Sequence, residues 1–381
     1  MSHKAFQADF IYLGNQEKIS NGIIELNANS EITHLGENTS SSDIKTKKLN
    51  GFLCPGFINT HCHIELSHLQ HKVSEGTKLH GFVQDLQKVR KADEATISQA
   101  IASAELSMRN NGIVAVGDIS NGEDSFQTKS QSPIFFHTFV ELFGFDKLQA
   151  DRIYTRGLEL KHIAQNRNLN ASVVPHSSYS VSNELMKLIG KTQKNAPITI
   201  HNQETEAENS LFQKGEGEIK EMLKRFGLDL STFKPIGKSS IFNYLAFLNT
   251  EVNTLLVHNT FTKPEDIEWA EQNHAHLYWC FCPNANQYIE KRLPNIPQFI
   301  DAGVSCTLGT DSLASNWQLS IWAEIETIQK HYPQIKTELL IEMACQNGAK
   351  FLGIDNQFGK LEIGKKPGLN WVNQGAVNKL A

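Results

Sequence analysis

The chain has 381 residues, 40% of them hydrophobic, with 36 Lys+Arg against 41 Asp+Glu and a formal net charge of −5. That length exceeds one small core and fits a barrel of eight βα units, about 250 residues, plus a minor domain. The near balance of charge offers no basic face to a polyphosphate and argues against nucleic-acid binding; no run approaches the ~18 uninterrupted apolar residues of a membrane span.

The first ten residues lack the apolar core of a signal peptide, so a soluble, cytoplasmic protein is expected. Residues 1–50 hold short strand-like pieces over 8–13, 22–26 and 32–35, separated by Gly, Asn and Ser clusters that read as turns. Similar pieces recur over 358–364 and 369–372. The two ends are expected to meet in a small β-sandwich domain (1–50 and 355–381) flanking a central domain over 51–354. There, apolar strand runs alternate with helical patterns, which predicts parallel βα units and an α/β (β/α)8 TIM barrel. Its strands are placed over 53–60, 113–118, 134–142, 171–175, 198–201, 254–258, 277–282 and 304–309. Helices are placed over 94–109, 183–192, 264–273, 296–302 and 319–331 by apolar spacing of three and four residues. The segment 215–247 is too long for one crossover helix and reads as an elaborated loop over the barrel mouth.

Six cysteines (54, 62, 280, 282, 306 and 345) lie mostly in apolar strand-like runs, which suits reduced, buried thiols. Cys280 and Cys282 could share a strand face, but no second cysteine pair completes four zinc ligands.

His61 and His63 end the first barrel strand. Residues i and i+2 share a face, so the two imidazoles point together while Cys62 points away. The other strand ends contribute Glu141, His176, His201, His258, Asn284 and Asp311. Parallel strands of a barrel bring such residues onto one face, where active sites form. Histidines that merely satisfied a core would not fall repeatedly at that end.

His61-Cys62-His63, His201 with Glu204 in Ile-Thr-Ile-His-Asn-Gln-Glu, His258 in Leu-Val-His-Asn-Thr, and Asp311 in Leu-Gly-Thr-Asp-Ser together resemble the amidohydrolase superfamily. The resemblance covers essentially the whole chain. It is strongest to the subgroup of guanine, S-adenosylhomocysteine and aminodeoxyfutalosine deaminases and triazine hydrolases. It implies one divalent metal per subunit, zinc or iron, held by His61, His63, His201 and Asp311. Binuclear relatives carry a lysine at the end of strand 4. The run Ala-Ser-Val-Val-Pro-His over 171–176 offers none, which favours one metal.

In such enzymes Glu204 shuttles protons, although a glutamate there could also be a first-turn residue stabilised by the helix dipole. His258 would orient the attacking water, and Asp311 would accept its proton. His176, in Pro-His-Ser-Ser-Tyr, resembles a segment lining the substrate pocket. Glu65, in His-Ile-Glu-Leu-Ser, resembles the form found in certain aminodeoxyfutalosine deaminases and is a candidate substrate contact, with Glu141, Asn284 and Asn286. The expected activity is hydrolytic deamination of an aminopurine nucleoside, 6-aminodeoxyfutalosine first, on the menaquinone route. The alternatives are hydrolysis of another heterocycle and, more remotely, a non-catalytic scaffold. The expected partner is a small molecule, with a homodimer as a possible assembly.

Overall fold

A computed structural model describes residues 3–37, 45–192, 194–231 and 233–381. The chain opens with β1 (Lys4–Tyr12), β2 (Lys18–Ser20), β3 (Gly22–Leu26), β4 (Ile32–Glu37) and β5 (Thr46–Pro55). Eight further strands follow: β6 (Phe57–Cys62), β7 (Ile113–Ser120), β8 (Phe135–Leu142), β9 (Asn170–Pro175), β10 (Ile198–Asn202), β11 (Thr254–His258), β12 (Leu277–Phe281) and β13 (Cys306–Leu308). The chain closes with β14 (Leu369–Asn373) and β15 (Ala376–Lys379).

Both chain ends build one sheet of seven strands in the order β15-β14-β5-β1-β3-β4, with β2 on β1. Ile11, Ile24 and Leu53 are fully buried in its core. Two expectations change here. The segment 358–364 is not a strand: Gly359 and Gly364 sit at φ of +88° and +87°, a left-handed backbone that ends extended structure. It still meets the N-terminal piece, since the Leu361 N–H donates to the Leu13 carbonyl at 3.0 Å. The strand expected over 53–60 is two strands, because β5 stays in the terminal sheet until Pro55 and β6 starts the parallel layer. Gly56 makes the switch, packed so closely that a Cβ there would lie 2.3 Å from Val114.

β6-β7-β8-β9 and β10-β11-β12-β13 form two four-stranded parallel sheets. They meet at two parallel bridges, Ser177 with His201 and Cys62 with Asp311. At the second, the Thr310 and Asp311 N–H groups donate to the His61 carbonyl at 3.0 and 3.1 Å. The result is a TIM-barrel-like α/β fold, whose strands are buried on both faces as parallel strands covered by helices must be. Helices Glu94–Asn110, Asn183–Thr192, Pro264–Asn273, Ile296–Asp301 and Ile321–His331 cover it. Local chemistry fixes their starts: the Asp93 carboxylate accepts from the Thr96 N–H, and Pro264 occupies the first turn of its helix.

A second hydrophobic cluster roofs the C-terminal ends of these strands. The segment 215–247 supplies helix Glu218–Arg225, which buries Ile219, Met222 and Leu223 on one face. A helix over Lys78–Val89, not anticipated from the sequence, supplies Leu79, Phe82, Val83 and Leu86 at helical spacing. Among the described residues no helix is long and apolar enough to cross a membrane. All six cysteines are buried and unpaired.

Candidate active site

His61, in β6, and His63, just beyond it, do point together: their Nε2 atoms lie 3.2 Å apart. From the opposite sheet, His201 brings its Nε2 to 3.3 Å from that of His63. Asp311 places Oδ1 3.4 Å from His63 Nε2 and 3.8 Å from His61 Nε2. Four donor atoms thus converge on one point, although two lie at the end of β6 and the other two come from positions more than a hundred residues away.

Their protonation suits electron-pair donation. Burial holds the His61 imidazole well below its ordinary value, with His201 and His63 adding to the effect. Burial brings His63 to about 3, helped by the Arg90 charge, and His201 to about 4, helped by His63. All three are neutral at pH 7. The His201 Nδ1–H donates to the His176 carbonyl at 2.9 Å, which leaves the Nε2 lone pair facing the cluster. His61, His63 and Asp311 form a group able to hold a metal ion, as do His61, His201 and His258. Glu141, His176 and His201 form a third. There the nearest His201 atom to Glu141 is Nδ1, at 3.5 Å, already committed to the His176 carbonyl. That commitment argues against a second ion. Neither Cys280 nor Cys282 joins any of these groups.

The backbone at the strand ends is bent to achieve this. Gln203, His258, Asn259 and Asp311 have φ of 47°, 77°, 58° and 57°, a left-handed region that costs non-glycine residues about 1–3 kcal/mol each. The neighbourhood compensates: Asn259 Nδ2 donates to the Leu256 and Cys280 carbonyls, and Ser315 Oγ donates to Asp311 Oδ2 at 2.7 Å.

Glu204 is not in the first turn of the following helix, which starts at Glu206 with Thr205 as its cap. It is buried on the cavity wall, with Oε1 3.6 Å from His258 Nε2. Burial, then the Asp311 charge, raises its carboxyl well above the ordinary range, a shift toward the protonated acid. His258 is held on its other side, where Asn286 Nδ2 lies 3.3 Å from Nδ1. With Asn286 donating there, the Nε2 proton of His258 points at Glu204.

A cavity of about 430 Å³ opens above these groups. His176 lines it, stacked on Phe143 at a centroid distance of 4.2 Å and held by the Ser180 hydroxyl 2.7 Å from its Nδ1. Glu141 also lines it, pushed by burial to about 8, with Oε1 buried and accepting no hydrogen bond among the described residues. Two expected contacts are placed elsewhere. The Glu65 carboxylate turns from the cavity and accepts from the Asn121 and Gly122 N–H groups at 2.9 and 3.4 Å. Asn284 accepts from the Thr327 hydroxyl at 2.6 Å and is not on the cavity wall. Asn286 stands behind His258.

The sequence reading missed Asn121, which lines the cavity and donates from Nδ2 to Glu141 Oε2 at 3.0 Å. Its signal was present: β7 runs two residues past its expected end, so Asn121 is the polar residue that follows that strand. Arg90 and the helix over 78–89 were missed as well, whereas the segment 215–247 was expected over the mouth.

The Amidohydrolase family profile matches residues 52–380. The chain belongs to the amidohydrolase family. It is a hydrolase acting on carbon–nitrogen bonds. Over 335 residues this amidohydrolase is 27% identical to an aminodeoxyfutalosine deaminase from a Nitratiruptor species, covering 83% of this chain and 77% of that one. It is 25% identical over 330 residues to the adenosine deaminase of Helicobacter pylori, covering 84% and 78%. Among solved structures, H. pylori aminofutalosine deaminase in complex with methylthio-coformycin superposes with a TM-score of 0.78 at 22% identity, covering 97% of this chain and 93% of that one. That likeness shows the shared fold.

Proposed function

We propose that this amidohydrolase deaminates an adenosine-like nucleoside, releasing the 6-amino group of the purine as ammonia. The observation that carries the reading is the buried Glu204 carboxyl facing His258 at 3.6 Å beside the converged donors of His61, His63, His201 and Asp311, in surroundings that favour its protonated form. A carboxylic acid there has a task in deamination: it donates to the ring nitrogen next to the amino-bearing carbon and makes that carbon more electrophilic. The deaminase names of the relatives support the same reaction.

The donor set fits one divalent metal. Separations of 3.2 to 3.8 Å between donor atoms are those of ligands about 2.0–2.2 Å from a common centre. Zinc is the first choice and iron the second. Once bound, the ion would lower the pKa of its water from about 15.7 toward 7. In the proposed reaction Asp311 accepts the proton of the attacking water, His258 holds that water in line, and Glu204 protonates the ring. Ammonia leaves after receiving a proton through Asp311 or Glu204. His176, Glu141 and Asn121 line the space for the heterocycle and sugar. Glu65 acts through Asn121, whose loop it holds.

We take the two bridged sheets as one closed (β/α)8 barrel, with the terminal strands as a separate small domain, in a cytoplasmic protein whose thiols stay reduced. The substrate we place first is 6-aminodeoxyfutalosine, a nucleoside with a bulky 5′ extension, on the menaquinone route. The test is ammonia release from the metal-loaded protein, comparing aminodeoxyfutalosine with adenosine, guanine and a triazine. The expected result is a kcat/KM above about 10⁴ M⁻¹s⁻¹ for aminodeoxyfutalosine. A clear preference for guanine or the triazine would overturn the nucleoside reading.

A further inference from the structure

Helix Ile321–His331 takes no part in the cavity wall, yet it buries one carboxyl group completely, that of Glu324. Donors from two different strand ends converge on it: Oε1 accepts from Asn316 Nδ2 and Oε2 from the Asn284 N–H, both at 2.8 Å. The first arm leads to Asp311. The second Nδ2 proton of Asn316 goes to the Thr310 carbonyl at 2.8 Å, and Asn316 Oδ1 accepts from the Gln318 N–H, so both protons and the oxygen of that amide are engaged. The Thr310–Asp311 peptide is thereby held at both ends, its carbonyl by Asn316 and its N–H by the His61 carbonyl at 3.1 Å. The orientation of this peptide sets the φ of +57° at Asp311. The second arm leads to His258. Asn284 lies in the first turn of helix Pro283–Glu290, where an N–H has no partner within the helix, and its side-chain oxygen accepts from Thr327, on the same helix as Glu324. Two residues on, Asn286 Nδ2 lies 3.3 Å from His258 Nδ1 and donates to Thr260 Oγ1 at 2.8 Å.

We propose that Glu324 is a positioning residue for the reaction: one carboxyl group behind the site sets the placement of Asp311 relative to His258, the two groups that flank the attacking water. The inference rests on the deaminase reading for what those two residues do. It adds a residue that touches neither the cavity nor the donor cluster and acts through Asn316 on one side and Asn284 on the other. A carboxyl group suits this place because it offers acceptors in two directions. An amide of the same shape keeps one acceptor and turns an N–H toward the other donor. Glu324→Gln therefore conserves volume and releases one arm. A displacement of about 1 Å at an aligned group can cost on the order of 10²-fold in rate.

The experiment compares wild type, Glu324→Gln, Asn316→Ala and the double variant. Each is loaded with zinc for steady-state deamination of aminodeoxyfutalosine and adenosine, and with cobalt(II), whose visible absorption reports the geometry of its ligands. Glu324→Gln is expected to lower kcat on the order of 10²-fold with KM changed less than about threefold, since the cavity wall is untouched. Its cobalt spectrum should shift at full occupancy. The double variant should fall well short of the product of the single losses, because both residues act through one chain of bonds. Glu105→Gln, which alters a buried carboxyl bonded to Ser132 away from the site, should leave kcat and the spectrum unchanged. A folded Glu324→Gln with wild-type kcat and spectrum would overturn the inference, as would losses that multiply in the double variant. If Glu324→Gln does not fold, Asn316→Ala, which leaves the Asn284 arm in place, carries the same expectations. A wild type that deaminates no nucleoside would refute the deaminase reading alone, because the cobalt spectra still decide whether Glu324 places Asp311. A wild type that takes up no cobalt would overturn the inference together with the proposed ligand set.

Discussion

Beneath the site, Lys129 and Asp118 form an ion pair at 2.5 Å with both side chains fully buried. Asp118 Oδ1 also accepts from the Ile64 N–H at 2.8 Å, and Ile64 directly follows His63. The pair therefore sets the path of the chain carrying one proposed metal ligand. Removing one member of a buried pair costs about 3–5 kcal/mol because the other charge is stranded, whereas replacing both can be close to neutral. Lys129→Met should accordingly destabilise strongly. The double variant Lys129→Met/Asp118→Asn should recover most of the loss, since Asn keeps an oxygen for Ile64. The single variant also carries a pH signature. Burial already raises the Asp118 carboxyl, and Lys129 is the largest influence lowering it. Without Lys129 the folded-state pKa rises further above the unfolded value. The folded state then holds a proton the unfolded state has released, so the deficit should grow as pH rises from about 5 to 8. Thermal unfolding of wild type and the variants at both pH values is the assay. A double variant as unstable as the sum of its parts, or a deficit larger at pH 5, would refute the coupling.

His201→Ala should abolish both metal content, read by elemental analysis, and turnover; full metal occupancy in that variant would contradict the proposed ligand set. Glu204→Gln should keep the metal and lose about 10²- to 10⁴-fold in kcat, the range of general acid–base groups, and near wild-type turnover would remove Glu204 from the chemistry. Burial pushes the Glu324 carboxyl, away from the cavity wall, up to about 8 from 4.5. Between those values the folded state holds the extra proton, so this residue's contribution to stability falls as pH rises. The melting temperature of wild type relative to Glu324→Gln should therefore decline from pH 5.5 to 8.5, and an unchanged difference would show that Glu324 ionises normally.

The floor of the site was legible because its rule is short-range. A period of two puts His61 and His63 on one face, and parallel strands bring His201, His258 and Asp311 to the same end. The helices agreed for a similar reason, Asn183–Thr192 and Pro264–Asn273 matching their expected bounds. Errors came where geometry depends on distant partners. The 53–60 run is apolar throughout, and only the pairing of β5 with β14 reveals that Pro55 belongs to the terminal sheet. Glu65 and Asn284 have the right residue type near the right strand ends. Backbone N–H groups at 121 and 122 capture the first, and the Thr327 hydroxyl engages the second. The roof was half legible: the segment 215–247 reads as an elaborated loop over the mouth, whereas the helix over 78–89, which brings Leu79, Phe82 and Leu86 opposite it, was not anticipated.

The terminal sheet shares in the site in a way its distance conceals. Asn370, buried in β14, donates from Nδ2 to the Gly112 carbonyl at 2.9 Å and to the Pro55 carbonyl at 3.4 Å. The Gly56 N–H donates to the Pro367 carbonyl at 3.3 Å, and the Phe57 N–H to the Gly112 carbonyl at 2.9 Å. The last strands thus pin the entries of both β6 and β7. A one-residue slip at the start of β6 would turn His61 from the inner face to the outer, because side chains alternate along a strand. The other end of β6 is tied by Asp118 and by the bonds from Thr310 and Asp311 to the His61 carbonyl. Anchored at both ends, β6 can hold His61 and His63 in the orientation that the donors of His201 and Asp311 meet.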